Sequence, residues 1–136
     1  MKKAYVFMLL ALVLFLTIYG NIALKGREPS VSYLNVFLQV VNSQNSSSST
    51  YGSNVYFVSM PGKRVSGETI VQNTNKKQGK VSVEAEGELA ENNWLEIEKE
   101  NFKIKPNETA KISLVIDIPA DAEARNYTGR LRIEMR

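Results

Sequence analysis

Apolar residues recur at every second position through most of the chain beyond residue 54. The pattern is strongest just before Pro119, at Ala110, Ile112, Leu114, Ile116 and Ile118. Successive side chains of a β-strand point to opposite faces, so this spacing places the apolar side chains together on one face. The pattern predicts a strand and argues against a helix in this segment.

The same alternation marks other segments, and turn-forming residues separate them. These segments are residues 55–60, 65–71, 81–86, 95–98, 102–104 and 127–135. Pro61-Gly62 and Pro106-Asn107 are turn signals between them. Strands at this spacing are typical of an antiparallel two-sheet sandwich. We predict an all-β sandwich of seven to eight strands, with residues 54–136 as its main domain.

The N-terminus carries an apolar run that starts behind Lys2 and Lys3 and continues to Leu24. Its length is close to the roughly 20 residues that a helix needs to cross a bilayer. We predict a membrane anchor in residues 1–27, with a cytoplasmic N-terminus because lysines precede the run. Removal as a signal sequence, which would give a secreted protein, is the alternative. It is less favoured because Gly20 and Ala23 lack a small residue two positions earlier.

Residues 28–53 are predicted to contain a strand followed by a Ser-rich linker or loop. Leu34, Val36, Leu38 and Val40 alternate with other residues, whereas residues 42–53 are small and polar. Small polar residues bury too little surface to offset the entropy of ordering. The apolar strand can pair within its own sandwich or with the sheet edge of another subunit, which would give a homo-oligomer.

The net charge of +3 does not indicate nucleic-acid binding. The basic excess lies at Lys2, Lys3, Lys25 and Arg27, which flank the apolar run, whereas the charges beyond residue 54 balance. We therefore attribute the excess to membrane topology and expect no nucleic-acid partner. The chain has no cysteine, so neither a disulfide nor a lipoprotein anchor is possible.

Catalytic and cofactor chemistry is not expected from this composition. The chain has no histidine and no cysteine, so its serines lack their commonest general base. Asp117, Asp121 and Glu123 lie close in sequence and are a calcium-site candidate. They lack the spaced loop of a known calcium site, so we predict solvated carboxylates and no bound metal.

Three sequons are candidates for N-glycosylation, at Asn45, Asn107 and Asn126. All three fall in predicted linkers or turns, and Asn45 is the site most expected to be modified. Tyr127 is predicted to hydrogen-bond to backbone upstream, as a corner tyrosine does. Trp94 is expected at the rim of the core, with a surface contact as the alternative.

The segments 67–73, 94–95, 102–109, 116–122 and 127–129 together resemble immunoglobulin-like accessory sandwiches. Such domains occur in archaeal and bacterial surface proteins and beside secreted carbohydrate-active enzymes. The resemblance covers residues 54–136 and implies a module that holds, spaces or binds, with no catalytic residues. An anchor joined directly to one sandwich also resembles, in architecture alone, the stator components of the archaeal swimming filament.

Two functions follow from these expectations, and neither is enzymatic. The first is an anchored extracytoplasmic adaptor that contacts a cell-envelope or surface-layer protein or glycan. The second is a structural subunit of a surface assembly that associates through pairing of sheet edges. Residues 31–41 distinguish the two, because the second requires them to pair between subunits.

Overall fold

A computed structural model of the chain describes residues 29–43 and 45–136. Ser30–Met135 forms one compact unit. Its strands are β1 (Ser30–Val40), β2 (Ser47–Tyr51), β3 (Asn54–Ser59), β4 (Arg64–Gln72), β5 (Gly79–Glu86), β6 (Leu95–Ile97), β7 (Asn101–Ile104), β8 (Thr109–Asp117) and β9 (Asn126–Met135). One short helix, α1 (Glu88–Glu91), precedes β6.

The strands form two sheets, which confirms the predicted all-β, two-sheet class. The larger sheet has six strands in the order β2-β3-β1-β9-β5-β7, and the smaller has three in the order β4-β8-β6. The inward faces of β1, β8 and β9 supply much of the buried core, including Val36, Ile112, Leu114 and Leu131. The apolar alternation in β8 therefore marked its buried face correctly.

Strand β1 lies in the interior of the six-stranded sheet. It pairs with β9 in antiparallel register and with β3 in parallel register, both within the same chain. Leu34, Val36, Leu38 and Val40 are buried on its inner face. The parallel pair differs from the fully antiparallel prediction. It arises because the chain reverses direction twice after β1. Strand β2 runs back along the edge of the sheet, and the hairpin to β3 then turns the chain again, so β3 runs in the direction of β1 and pairs with it.

The Ser-rich stretch contains a strand that the prediction of a linker or loop missed. Strand β2 pairs with β3 from Ser47, opposite Val58, to Tyr51, opposite Asn54. All of its side chains are exposed, so it shows no apolar period, and backbone pairing holds it in the sheet. The loop Gly52-Ser53, with Gly52 at φ 59°, is a tight hairpin connection. A Gly-Ser pair at this place in the sequence could have predicted the hairpin.

Asn73 connects two segments from inside the protein, the β4–β5 loop and the end of β7. Its side chain is fully buried. Its Nδ2 donates to the carbonyl oxygens of Lys77 at 2.8 Å and Ile104 at 3.1 Å, and its Oδ1 accepts from the Asn75 amide at 3.0 Å. These bonds hold the β4–β5 loop against the end of β7. Sequence reading assigned Asn73 to a polar turn and missed this structural role.

The predicted anchor, residues 1–27, lies outside the described residues. Among residues 29–43 and 45–136, no helix has the length and apolar character needed to cross a bilayer.

Candidate functional site

The outer face of the six-stranded sheet, turned away from the core, carries most of the exposed large apolar side chains in the part of the chain that the structure describes. Even-numbered residues of β1 from Leu34 onward are buried, so its odd-numbered residues point outward. In the parts of the chain that the structure describes, the exposed large hydrophobic residues are Val31, Tyr33, Tyr51, Tyr56 and Ile70. All but Ile70, which is on β4, belong to the outward positions of β1, β2 and β3.

We call Val31, Tyr33, Phe37, Tyr51 and Tyr56 the aromatic face. Tyr33 is 45% exposed, Tyr56 43% and Tyr51 83%, so these rings are open to contact. Phe37 and Tyr56 are directly paired across the β1–β3 ladder, and their rings stack with centroids 5.0 Å apart and planes 14° apart. Stacking restricts both rings, so this part of the face is ordered before any partner arrives.

Charged residues of β9 and β5 border the aromatic face and neutralise one another. Arg130 Nε lies 2.6 Å from Glu86 Oε2, and the Arg130 guanidinium stands 4.6 Å from the centre of the Tyr33 ring. Arg132 pairs with Glu134 at 3.0 Å and with Glu84 at 3.7 Å. Because each arginine already has a carboxylate partner, this border does not form a strongly cationic patch.

Two shallow depressions lie on the outer face around Phe37. One, of about 340 Å³, is lined by Phe37, Tyr56, Asn126 and Thr128 among others. The other, of about 460 Å³, lies toward Arg130 and includes Asn35 and Glu86. Both are open, and they combine a ring surface with amide, hydroxyl and charged groups. Such surfaces suit contact with another macromolecule better than enclosure of a small metabolite.

At one end of the sandwich, Tyr127 makes the predicted corner hydrogen bond. Its hydroxyl donates to the backbone carbonyl of Glu123 at 2.9 Å. The buried ring packs against Trp94, with centroids 4.7 Å apart, and the Arg125 guanidinium lies 3.8 Å from its centre. Trp94 is half-buried against the core, as a rim residue is.

Arg125 also forms an ion pair with Glu88 of α1, at 2.5 Å from Nη2 to Oε1. The hydrogen bond from Arg125 lowers the pKa of the Glu88 carboxyl, and this effect outweighs the partial burial that acts in the opposite direction. The pair joins α1 to the segment before β9. It stabilises this end of the sandwich.

The structure does not bring the three acids of the calcium-site candidate together. At the end of β8, Asp117 Oδ2 lies 3.4 Å from Nη1 of Arg64. Glu123 Oε2 instead lies 4.0 Å from Nε of Arg125, at the limit of ion pairing. In residues 29–43 and 45–136, no group of three or more acidic side chains is arranged to hold a metal ion.

The sequons occupy three different settings. Asn45 is exposed in the β1–β2 connection, and Asn107 is exposed in the β7–β8 turn with φ 60°. Asn126 is the first residue of β9 and belongs to the outer face, opposite Gln39 of β1. The predicted loop position of Asn126 was therefore a strand start. Its place beside Phe37 depends on the β1–β9 register, which no local motif in the sequence specifies.

Comparison with protein-family models, with curated proteins and with solved structures finds no match to this chain.

Proposed function

We propose that this chain is a membrane-anchored binding or adaptor module. Its immunoglobulin-like sandwich works outside the cytoplasm and contacts cell-envelope or surface-layer components, or a partner protein, through the aromatic face. The observation that carries the proposal is the gathering of Val31, Tyr33, Tyr51 and Tyr56 on one side of one sheet. Apolar side chains gathered on one surface are typical of a site that another molecule covers.

The composition of the face supports this proposal. Tyrosine and arginine are enriched at the centres of protein interfaces, where an amphipathic ring buries area and still offers a hydroxyl. Here Tyr33 lies under Arg130, and Phe37 stacks on Tyr56. These contacts fix the side chains in the free protein, which reduces the entropy lost on binding.

The extracytoplasmic location is supported by the apolar run in residues 1–27 and by the lysines before it. The immunoglobulin-like character is supported by the two sheets and by the corner hydrogen bond of Tyr127. Both remain parts of the proposal.

Binding of the full chain to cell-envelope material from its source tests the proposal. We expect Tyr33→Ala and Tyr51→Ala each to weaken binding about tenfold, as truncation of an aromatic interface contact does. Ile70→Ala is the matched control, because Ile70 is 69% exposed but lies on the other sheet. Equal loss in the control, or none in the tyrosine variants, would show that the aromatic face is not the contact surface.

The second candidate, a structural subunit that exchanges residues 31–41 between copies, has less support. Strand β1 already has a ladder on both sides within its own chain, so exchange would require both to open. Edge-to-edge association would instead use β2, β7, β4 or β6, which end the two sheets. The molar mass of the full chain in detergent, measured by light scattering, separates a monomer from such an assembly.

A further inference from the structure

The sequon at Asn126 differs from the other two because it lies on the aromatic side of a sheet. Asn126 and Thr128, its acceptor and hydroxyl residues, are both exposed outward positions of β9. Their partners across the ladder are Gln39 and Phe37 of β1. The acceptor side chain therefore projects from the same face of the sheet as the half-buried ring of Phe37.

Phe37 and Tyr56 form a ring surface close enough to Asn126 for the first sugar on Asn126 to contact it. Phe37 is the diagonal neighbour of Asn126, and such neighbours lie about 7–8 Å apart. Tyr56 follows on the next strand and stacks on Phe37. The depression of about 340 Å³ is lined by both rings and by both sequon residues. Acceptor and ring surface thus belong to one concavity.

A sugar ring suits this concavity chemically. One face of a pyranose presents C–H groups that pack against aromatic rings, and its hydroxyls hydrogen-bond to amides such as that of Gln39. Around the other sequons the sequence is different, since no aromatic residue lies within two positions of Asn45 or Asn107. Asn107 is also in a tight turn with φ 60°.

We propose that Asn126 carries an N-linked glycan whose first sugar packs on the Phe37–Tyr56 stack. The glycan covers that part of the aromatic face and leaves Val31, Tyr33 and Tyr51 for the partner. In the transfer, the amide nitrogen bonds to the anomeric carbon of a polyprenyl-phosphate-linked sugar. The carbon–oxygen bond to phosphate breaks, and the amide proton leaves with the lipid phosphate. The inference relies on the extracytoplasmic location in the proposed function, because this transfer takes place there.

The test uses the full chain purified from its source cells. Peptide mass spectrometry is expected to find sugar on Asn126. In the glycosylated protein, nuclear Overhauser contacts are expected between the first sugar and the ring protons of Phe37 and Tyr56. The glycan is also expected to raise Tm by about 3 °C, as a modest packing contact does in a domain of this size. This Tm gain is measured relative to Asn126→Gln, which cannot carry the glycan. In a Phe37→Ala background, the Tm difference between the Asn126 and Asn126→Gln proteins should vanish.

Asn45→Gln is the matched control, since it removes a sequon without an aromatic neighbour in sequence. Sugar on Asn45 but not on Asn126 would overturn the inference and leave the proposed location intact. Sugar on Asn126 without ring contacts, or with the same Tm gain in the Phe37→Ala background, would overturn the packing. A chain without sugar at any sequon would overturn the inference and leave the proposed location intact, because an extracytoplasmic protein need not be glycosylated.

Discussion

Asn73→Asp replaces the NH₂ of the side-chain amide by an oxygen and leaves the shape of the side chain nearly unchanged. Asn73 is fully buried, and its Nδ2 donates to the carbonyl oxygens of Lys77 and Ile104. Aspartate keeps the acceptor for the Asn75 amide but cannot donate when ionised. The substitution therefore turns two hydrogen bonds into two oxygen–oxygen contacts while leaving the packing in place.

The size of the effect follows from these contacts. Two lost hydrogen bonds cost about 1 kcal/mol each, and a buried carboxylate with the Asn75 amide as its one retained donor raises the total to about 3–5 kcal/mol at neutral pH. Asn73→Ala loses these two bonds and the acceptor for the Asn75 amide but adds no charge, so we expect about 2–3 kcal/mol. Domains of this kind have about 5–15 kcal/mol of stability in total, so either loss is large.

Urea unfolding at pH 7 and at lower pH separates the charge from the lost bonds. In the folded Asn73→Asp variant, burial against the carbonyl oxygens of Lys77 and Ile104 outweighs the one donor from Asn75 and raises the pKa of the introduced carboxyl above its unfolded value of about 3.9. As pH falls, the folded variant therefore binds a proton at a higher pH than the unfolded chain does. Its deficit relative to the parent is complete above the folded pKa and shrinks as pH falls toward the unfolded value. The deficit of Asn73→Ala should not shrink. An Asn73→Asp deficit below about 1 kcal/mol at pH 7, or one that grows on acidification, would refute the reasoning.

Three further substitutions test other parts of the fold. Tyr127→Phe removes the corner hydrogen bond and keeps the ring, so Tm should fall by about 5 °C in a calorimetric scan, and an unchanged Tm would mean that the bond contributes nothing. Above the ordinary carboxyl pKa of 4.5, the ion pair between Glu88 and Arg125 stabilises the parent, and the parent loses this stability as pH falls through the lowered pKa of Glu88. Glu88→Gln should therefore be less stable than the parent at neutral pH but not at the lowest pH. A deficit in urea unfolding that persists at the lowest pH would contradict this explanation. Gly67→Ala would place a Cβ 2.8 Å from Cζ of the buried Phe57, so we expect a loss of about 1–3 kcal/mol in urea unfolding, and a neutral result would show that the ring can move aside.

Strands with one buried and one wet face were predictable from sequence. Strand β8 alternates almost without exception, and its predicted boundaries lie within a residue or so of the observed Thr109–Asp117. The period reports burial directly, because only one set of alternate side chains reaches the core. The two-sheet class followed from the number and spacing of such strands.

Features that depend on long-range register were not predictable in the same way. Strand β2 buries none of its side chains, so only its backbone pairing and the Gly52 hairpin distinguish it from a loop. Asn73 resembles any turn asparagine until β7 comes to lie beside it. The aromatic face was partly visible as alternate residues of β1, but its meeting with Tyr56 requires the parallel β1–β3 pair.

The interior position of β1 determines how the sheet carries tension that enters from the N-terminal side. Any such load reaches the sheet at Ser30 and pulls β1 along its own axis. The strand is hydrogen-bonded to β9 from Ser30 to Gln39 and to β3 from Asn35 to Val40. To slide, it must break both ladders in shear at nearly the same time. Pulling the two ends of the domain apart would instead unzip β1 from β9 one pair at a time, starting where Ser30 faces Met135. The domain is therefore built to resist a pull between its N-terminal side and a partner held on its outer face more strongly than a pull between its two ends.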